Sequence, residues 1–251
     1  MKAFTRAVSP RIAECQLTHL QRVPIDPAKA AAQHAAYEHA LADAGFEIVR
    51  LPELRDDPDA VFVEDTALIL GEHAVITRPG VASRADEVGS TADGLGGHFQ
   101  VHRIESGHVD GGDVLRIGRR LYVGVSTRTD GAGIAALAEL VAPLGYEVVE
   151  ARAGACLHLK TGATLAGEGV LVYDPATINP SQFAGVEPLA VKEAAAANCV
   201  SAGARVILPA GNPRTADTLR TRGFHVVEVD VSELQKAEAG VTCMSLIDER
   251  A

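Results

Sequence analysis

Five segments of the chain share one pattern, a glycine followed by a short run in which apolar or aromatic residues alternate with polar ones. The pattern starts at Gly45, Gly97, Gly145, Gly185 and Gly223. Glycine suits the left-handed residue just after a helix, and the alternation that follows is typical of a half-buried β-strand. The sequence therefore predicts five units in which a helix ends at a glycine and a strand begins.

Helix signals precede these glycines. Asp26-Pro27 and Asn212-Pro213 each place a capping side chain before a proline that suits the first helical turn. The fourth unit is degenerate, because only the short segment 180–184 is free to form a helix before its glycine. Together with apolar residues at helical spacing, these signals predict helices over 26–44, 83–94, 129–144 and 212–222.

Each glycine-led strand is followed by one or two further β-rich runs. These runs lie at 61–63, 68–70, 74–76, 121–123, 170–172 and 205–208. Each unit thus has the predicted order strand, strand, helix, strand. Units of this size cannot bury their apolar faces alone, so we expect them to stack on one another around an axis.

Closure of such a ring requires the first strand, predicted over 4–8, to pair within the last unit. Because successive units lie only about 40 to 50 residues apart, no linker separates them. We therefore expect one domain, 1–251, of the α/β class, built as five ββαβ blades with pseudo-fivefold symmetry. The alternative is an ordinary α/β sandwich in which the glycine-led strands recur by coincidence.

Composition narrows the function. The 251 residues are 47% hydrophobic, without a secretory leader or a run of about 18 apolar residues, so we expect a cytoplasmic protein that does not enter membranes. Four widely separated cysteines indicate reduced thiols. A net charge of −10 argues against nucleic acid as a partner and favours a cationic small molecule.

The repeat also selects polar residues. Asp110, His158 and Asn198 lie thirteen residues after their unit glycines, and Asp65 and Cys243 lie twenty residues after theirs. If rotation relates the units, equivalent positions point toward the axis. We therefore expect these side chains to meet at one end of the ring, with Asp65 and Cys243 facing each other across it.

A cysteine, a histidine and a carboxylate together suit nucleophilic catalysis. Cys243 lies in the strand-like run 240–247, and a thiol of ordinary pKa needs a cationic neighbour to become a thiolate. His158 or a cationic substrate could fill that role, with Asp110 orienting the imidazole. The alternatives are a packing cysteine, a core histidine and a hairpin turn at 110–113.

Two further groups predict a pocket for a charged amino acid. Asp59, Glu64 and Asp65 crowd three acids around a predicted strand, which favours a bound cation. Arg84 and Arg128 are candidates to bind a carboxylate in bidentate fashion, although both could be ordinary surface arginines. The inferred ligand is a zwitterion with an additional cationic group.

Taken together, these motifs resemble the dimethylargininases of the pentein, or guanidine-modifying, superfamily. The resemblance covers nearly the whole chain. It rests on Phe62-Val63-Glu64-Asp65, Thr77-Arg78-Pro79-Gly80 with Ser83-Arg84, Asp110-Gly111-Gly112-Asp113, Leu157-His158-Leu159-Lys160, Ala196-Ala197-Asn198-Cys199 and Thr242-Cys243-Met244-Ser245. It implies a five-bladed ββαβ propeller, the pentein fold.

The resemblance also implies a role for each candidate. Cys243 would be the nucleophile, His158 the general acid and base, and Asp110 the residue that orients His158. Asp65, supported by Glu64, would hold the guanidinium. The remaining contacts, to the α-amino and α-carboxylate groups, would come from Asp59, the backbone of Leu17 on a lid loop, Arg84 and Arg128. The segment 237–240 departs from the bulkier pattern expected before the cysteine.

The implied activity is hydrolysis of Nω-methylated L-arginine to L-citrulline and methylamine or dimethylamine, through an S-alkylthiouronium intermediate on the cysteine. It needs no metal or other cofactor, and the enzyme would be a monomer or a homodimer. Three alternatives remain open: hydrolysis of unmethylated or other N-substituted arginine, a non-catalytic guanidine-binding protein, and a metal site built from the cysteine, histidine and acids.

Overall fold

Residues 1–167 and 169–250 are described by a computed structural model of the chain; Glu168 and Ala251, which fall within the predicted domain, lie outside the described residues. The strands are β1 Lys2–Thr5, β2 Glu47–Arg50, β3 Ala67–Leu70, β4 His73–Ile76, β5 Gln100–Arg103, β6 Val114–Ile117, β7 Arg120–Gly124, β8 Glu147–Ala151, β9 Ala163–Ala166, β10 Val170–Tyr173, β11 Glu187–Ala190, β12 Val200–Ala202, β13 Arg205–Pro209, β14 His225–Val229 and β15 Leu246–Asp248. The α-helices are α1 Pro27–Asp43, α2 Glu87–Leu95, α3 Gly131–Val141, α4 Leu159–Gly162, α5 Pro213–Thr221 and α6 Ser232–Gln235.

The strands form five sheets of three strands each. Their orders are β15-β1-β2, β3-β4-β5, β6-β7-β8, β9-β10-β11 and β12-β13-β14. In every sheet the middle strand is antiparallel to the strand before it in this order and parallel to the strand after it. The connection between the two parallel strands contains a helix in four units, α1, α2, α3 and α5, and a 3₁₀ turn in the fourth unit. The predicted order of strands therefore recurs five times.

The first sheet joins the two ends of the chain. Phe4 of β1 pairs with Leu246 of β15 on one side and with Val49 of β2 on the other. This is the closure that the sequence predicted, although the strand begins and ends earlier than the expected 4–8. First strands of neighbouring sheets also contact one another, β15 with β3 and β9 with β12.

The capping signals mark the helix starts, but only part of the predicted capping forms. At the start of α5 the Asn212 side chain does not cap the helix and instead donates to the Pro209 carbonyl at 2.8 Å. The side chain of Asp26 accepts hydrogen bonds from the amides of Ala28 and Lys29 at the start of α1, and Asp130 accepts one from Gly133 at the start of α3. The fourth unit has only the 3₁₀ turn Pro180–Gln182 in place of a helix, as its degenerate sequence indicated.

The unit glycines take the expected backbone conformation in four cases. Gly45, Gly145, Gly185 and Gly223 have φ angles of 99°, 80°, 79° and 89°. Gly97 does not share this left-handed conformation, because α2 ends through Gly96 in the right-handed helical region. The strand predicted after Gly97 forms nonetheless.

Two predicted strands are instead turns. Residues 61–63 lead into the 3₁₀ turn Val63–Thr66, where the Thr66 hydroxyl donates to the Val63 carbonyl at 2.7 Å. In the run 240–247, Thr242–Met244 is another 3₁₀ turn and the strand starts only at Leu246. Side-chain hydrogen bonds replace the strand ladder at both places.

The apolar core is divided among the units. Five clusters of buried side chains lie between the sheets and their helices; the largest packs Tyr37 and Leu41 of α1 against Met244 and Val241. The turn that carries Cys243 therefore rests on a buried apolar base. Among the described residues, every helix is too short or too polar to cross a lipid bilayer.

Candidate active site

Five short turns precede the first strands of the five sheets. Each turn carries or adjoins one of the polar residues that the repeat selected. The turns, with these residues, are Val63–Thr66 with Asp65, Gly111–Asp113 after Asp110, α4 after His158, Ala194–Ala197 before Asn198, and Thr242–Met244 with Cys243. Because the turns are equivalent in the repeat, their polar side chains lie at the same end of the sheets.

His158 lies between two carboxylates at this end. Its Nε2 is 3.3 Å from Oδ2 of Asp110, and its Nδ1 is 3.7 Å from Oδ1 of Asp65. All three side chains are buried. A β-carbon at Gly112 would lie 2.5 Å from His158 Nδ1 and 2.8 Å from Asp65 Oδ1, so the arrangement requires glycine at that position.

The carboxylates determine the charge of the imidazole. Burial alone would favour neutral histidine, but Asp65, Asp110 and Asp113 raise the pKa of His158 to about 9. Burial likewise opposes the charge of Asp65, and His158, Arg84 and the Gly112 amide nevertheless lower the pKa of its carboxyl. At neutral pH the structure thus holds an imidazolium between two carboxylates.

The thiol of Cys243 lies in the opposite electrostatic environment. Burial and the carboxylates of Glu64 and Asp65 raise the pKa of this thiol, and its sulfur accepts one hydrogen bond, from the Gly240 amide at 3.4 Å. The side chain is only partly buried. Cys243 is therefore a thiol at rest, and an added cation would favour its thiolate.

Asp65 and Cys243 do not face each other across the ring, as the repeat had suggested. Their turns belong to neighbouring sheets and are joined directly, since the Thr242 hydroxyl donates to Glu64 Oε2 at 2.8 Å. Gly45 precedes β2 in the sheet that closes the ring, and Gly223 precedes β14 in the sheet β12-β13-β14. The turns twenty residues later precede β3 and β15, which are in contact. The expectation was wrong because it counted the units along the chain rather than around the ring.

Asn198 is a buried residue for which the sequence suggested a position but no role. Its Oδ1 accepts from the Thr242 amide at 3.0 Å, and its Nδ2 donates to the Thr242 hydroxyl and to the Lys160 carbonyl, both at 2.9 Å. These bonds fix the residue that precedes Cys243. The shared register of Asn198 with Asp110 and His158 was the signal that could have identified it.

Glu64 lies beneath the same turn. Besides accepting from Thr242, its carboxylate forms an ion pair with Lys160 Nζ at 2.7 Å. Glu64 is therefore positioned to support the cysteine turn and the Asp65 backbone.

Arg84 is buried, with 3% of its surface exposed. Its guanidinium forms ion pairs with Asp65 and with Glu87, and it donates to the Phe62 carbonyl at 2.9 Å. These carboxylates raise the pKa of Arg84 although burial opposes its charge. In this structure Arg84 orients Asp65 and holds the Phe62 turn, while also lining the cavity above them.

Arg128 approaches the site from the loop before α3. Its Nη2 donates to the Thr18 hydroxyl at 2.9 Å, and its Nη1 is 3.9 Å from Asp110 Oδ2. The side chain is largely buried and lines the cavity. Arg128 thus connects the orienting carboxylate with the N-terminal loop.

Asp59 anchors the start of that loop. Its carboxylate accepts from the Gln16 amide at 3.1 and 3.2 Å, and burial raises its pKa to about 6 against the effect of Arg84. Leu17, the next residue, packs partly buried against the apolar cluster under α1. A carboxylate at Asp59 that is costly to ionise is suited to accept a cationic ligand group.

One cavity collects the candidate side chains from these turns and loops. Its volume is about 20 Å³, and its lining includes Asp59, Asp65, Arg84, Arg128, His158 and Cys243. Within the described parts of the chain, one group of potential metal ligands lies close together, Asp65, Asp110 and His158. The raised pKa of His158 suits these groups to acid–base chemistry at neutral pH.

Comparison with known proteins gives a consistent result. No family model matches the chain. The chain is 38% identical to an N(G),N(G)-dimethylarginine dimethylaminohydrolase of Streptomyces coelicolor over 98% of its own length and 96% of the relative. It is 37% identical to the protein of the same name from Pseudomonas aeruginosa, over 88% of this chain and 89% of that one.

A solved structure shows the same architecture. A cysteine-to-serine mutant of the Pseudomonas aeruginosa enzyme, complexed with citrulline, matches with a TM-score of 0.91 and 34% identity, covering 98% of both chains. The similarity of fold over nearly the whole chain confirms the expected five-bladed ββαβ propeller and excludes the sandwich alternative.

Proposed function

The chain belongs to the dimethylarginine dimethylaminohydrolase family, and from this premise we propose that it hydrolyses Nω-methylated L-arginine to L-citrulline and methylamine or dimethylamine. The observation that carries the proposal is the His158 imidazolium held between Asp110 and Asp65 in the cavity that Cys243 lines. The solved relative with citrulline holds the product that this reaction would release.

The substrate is held by charge at both ends. Asp65, supported by Glu64, takes the guanidinium. Asp59 and the Leu17 carbonyl take the α-amino group. Arg128 takes the α-carboxylate. Arg84, which lines the same cavity, is the second arginine available to this group, although its guanidinium is paired with Asp65 and Glu87.

Substrate binding also activates the nucleophile. Burial and the carboxylates near Cys243 keep its pKa high in the free enzyme, and a guanidinium beside Asp65 would offset the effect of the carboxylates. The thiol then loses its proton to solvent when its target is in place. Positioning the planar, fully protonated guanidinium against the thiolate supplies much of the rate enhancement.

Catalysis proceeds in two halves. In the first, a bond forms between the Cys243 sulfur and the guanidinium carbon, the carbon–nitrogen bond to the methylated nitrogen breaks, and His158 gives its proton to the departing amine. An S-alkylthiouronium remains on the enzyme. In the second, neutral His158 accepts a proton from water as its oxygen attacks the same carbon, and the carbon–sulfur bond breaks. The remaining proton goes to the sulfur, so that citrulline leaves neutral and the Cys243 thiol is regenerated. Asp110 stabilises the imidazolium in both halves.

A catalytic thiol works in a reducing compartment, which supports the cytoplasm as the location. All four cysteines are free in the structure. The side chains and water supply every proton and nucleophile that these steps use.

Steady-state citrulline formation tests the proposal. Asymmetric dimethyl-L-arginine, monomethyl-L-arginine and unmodified L-arginine are compared, with Cys243→Ala as the control. We expect citrulline and the matching amine from the methylated substrates, and none from the variant. Ammonia from arginine with no dimethylamine from dimethylarginine would instead show a deiminase, and no product from any of the three would indicate a non-catalytic protein.

A further inference from the structure

The active-site cavity is too small for the proposed substrate. Its volume of about 20 Å³ holds about one water molecule, far less than an amino acid with a methylated guanidinium. A substrate can therefore enter only if part of the wall moves. The segment of the wall that moves must be the one that the rest of the fold holds least firmly.

Most of the wall is fixed by buried structure. Asp65, His158 and Cys243 stand on the turns that precede first strands, among buried ion pairs and hydrogen bonds. The N-terminal loop 16–20, which contributes Gln16 to the wall, differs, because it has neither helix nor strand and its outer residues are exposed, with Leu20 at 52%. Polar contacts hold this loop in place, which makes it the part of the wall with the least stability of its own.

Glu238 makes most of those contacts. Its Oε2 accepts from the Thr18 amide at 2.9 Å, and its Oε1 accepts from the amides of His19 and Leu20. Three successive backbone donors thus converge on one carboxylate, the arrangement by which backbone nests bind anions. Glu238 also lines the active-site cavity.

The backbone of Glu238 is unusual as well. Among residues 1–167 and 169–250 it is the one non-glycine residue with a positive φ, 61°. Side chains rarely adopt this conformation, and where it persists, surrounding contacts enforce it, often at functional sites. Here the conformation directs the carboxylate toward the loop. Two residues later in the same segment, the Gly240 amide donates to the Cys243 sulfur.

We propose that Glu238 is a positioning residue, the latch that holds loop 16–20 closed over the bound substrate. The inference rests on the proposed function, since it assigns the loop to the amino-acid end of the substrate. Entry and release break the three amide bonds to Glu238, and closure restores them. Among the described residues, two other side chains hydrogen-bond to the loop, Asp59 to the Gln16 amide and Arg128 to the Thr18 hydroxyl, and the proposed substrate engages both. Glu238 is therefore the hydrogen-bonding partner of the loop to which the proposed function assigns no substrate group.

Glu238→Ala tests the latch in two independent ways. Hydrogen–deuterium exchange of the substrate-free protein should be at least 10-fold faster at the Thr18, His19 and Leu20 amides. In steady-state kinetics, KM for dimethylarginine should rise 5- to 20-fold while kcat changes less than 3-fold, because the reactive turns keep their own contacts. Glu238→Gln keeps the length but only one acceptor oxygen, and should give intermediate values.

Two controls separate the latch from other effects. Glu14→Ala removes an exposed carboxylate of the same N-terminal segment that pairs only with Arg11, and should leave exchange and kinetics unchanged. Glu238→Gly relieves the backbone conformation while removing the carboxylate. It should behave like Glu238→Ala if the hydrogen bonds hold the loop.

Unchanged exchange at the three amides in Glu238→Ala, or a loss of kcat at constant KM, would overturn the latch. Because exchange is measured without substrate, it remains decisive even if methylated arginines are not turned over. In that case the proposed function fails, while faster exchange still supports the latch.

Discussion

The two ends of the cavity are built differently. At the reactive end, Asp65, Asp110 and His158 lie on turns that precede strands, and each is buried with partners from two other units. At the amino-acid end, Asp59 and Arg128 contact a loop through single hydrogen bonds to its backbone and a hydroxyl. One end is fixed by the fold and the other by contacts that can be broken.

The difference assigns catalysis to one end of the cavity and substrate entry and release to the other. Charges that must face a transition state are most effective when they are already oriented and do not reorganise. A closed site, however, needs a movable wall for entry and release. The ring supplies rigid turns for the first requirement and leaves an N-terminal segment outside the sheets for the second. Substitutions at the two ends should therefore affect kcat and KM differently.

Asp110→Asn should produce the largest effect at the reactive end. It removes a carboxylate that stabilises the His158 imidazolium, so we expect kcat to fall about 100-fold. His158 must be protonated to release the amine, and its raised pKa of about 9 sets the alkaline limb of kcat/KM. In the variant this limb should move to lower pH by about one unit, as a pH–rate profile will show.

A matched control for Asp110→Asn is Asp217→Asn. Asp217 is an exposed carboxylate on α5 that pairs with Arg220. The Asp217→Asn variant should leave both kcat and the pH–rate profile unchanged. If the alkaline limb does not move in Asp110→Asn, Asp110 does not stabilise the His158 imidazolium.

Asn198→Ala should have a smaller effect on the same end. It removes two hydrogen bonds to Thr242, the residue before the nucleophile, and a third to the Lys160 carbonyl. It also leaves the Thr242 amide without this partner, which costs about 1–3 kcal/mol of stability. We expect kcat to fall about 10-fold through misplacement of the sulfur, with KM within 2-fold. Kinetics and thermal unfolding measure the two effects.

Asn179→Ala provides the comparison for Asn198. Its side chain caps the exposed turn Pro180–Gln182 in the fourth unit, far from the nucleophile. Stability should fall slightly with no change in kcat. Equal kcat values for the two variants would contradict a positioning role for Asn198.

His34→Leu should leave activity unchanged and alter only the acid stability of the scaffold. His34 is buried in α1, and its Nε2 has no hydrogen-bond partner among the described residues. Burial, and to a lesser extent Arg50, lowers its pKa to about 4 against the opposing effect of Glu38. Since this pKa lies below the unfolded value of 6.5, the stability from neutral His34 is complete above pH 6.5 and is lost as pH falls through 4. At about 1.4 kcal/mol per pKa unit, the loss approaches about 3 kcal/mol.

Denaturant unfolding between pH 7 and pH 4 measures this loss. The decline in unfolding free energy should be about 3 kcal/mol smaller in His34→Leu than in the wild-type protein. An identical decline in both proteins would assign acid sensitivity to the reactive-end carboxylates instead.

Much of the fold follows from local sequence. Gly45, Gly145, Gly185 and Gly223 marked strand starts because glycine and alternation act within a few residues. Asp26 marked a helix start for the same reason. The repeat then placed Asp110, His158 and Cys243 at one end, because rotation makes equivalent positions neighbours.

What the sequence did not reveal depends on distant partners. The segments 61–63 and 240–247 resembled strands, because the side chains that bind their backbones at Phe62 and Thr242, those of Arg84 and Asn198, lie far along the chain. The contacts of Glu238 with the loop span more than 200 residues. The contacts of Glu64 with Lys160 and Thr242 likewise depend on how neighbouring units dock, which local patterns do not encode.

Covalent capture of the substrate by Cys243 tests the central claim most directly. The wild-type protein is mixed with asymmetric dimethyl-L-arginine, quenched in acid within milliseconds and examined by intact-mass spectrometry. We predict a mass increase equal to the substrate less dimethylamine, located on the peptide that contains Cys243, retained in Cys156→Ala and absent in Cys243→Ala. Citrulline formation at an undiminished rate by Cys243→Ala would contradict the account.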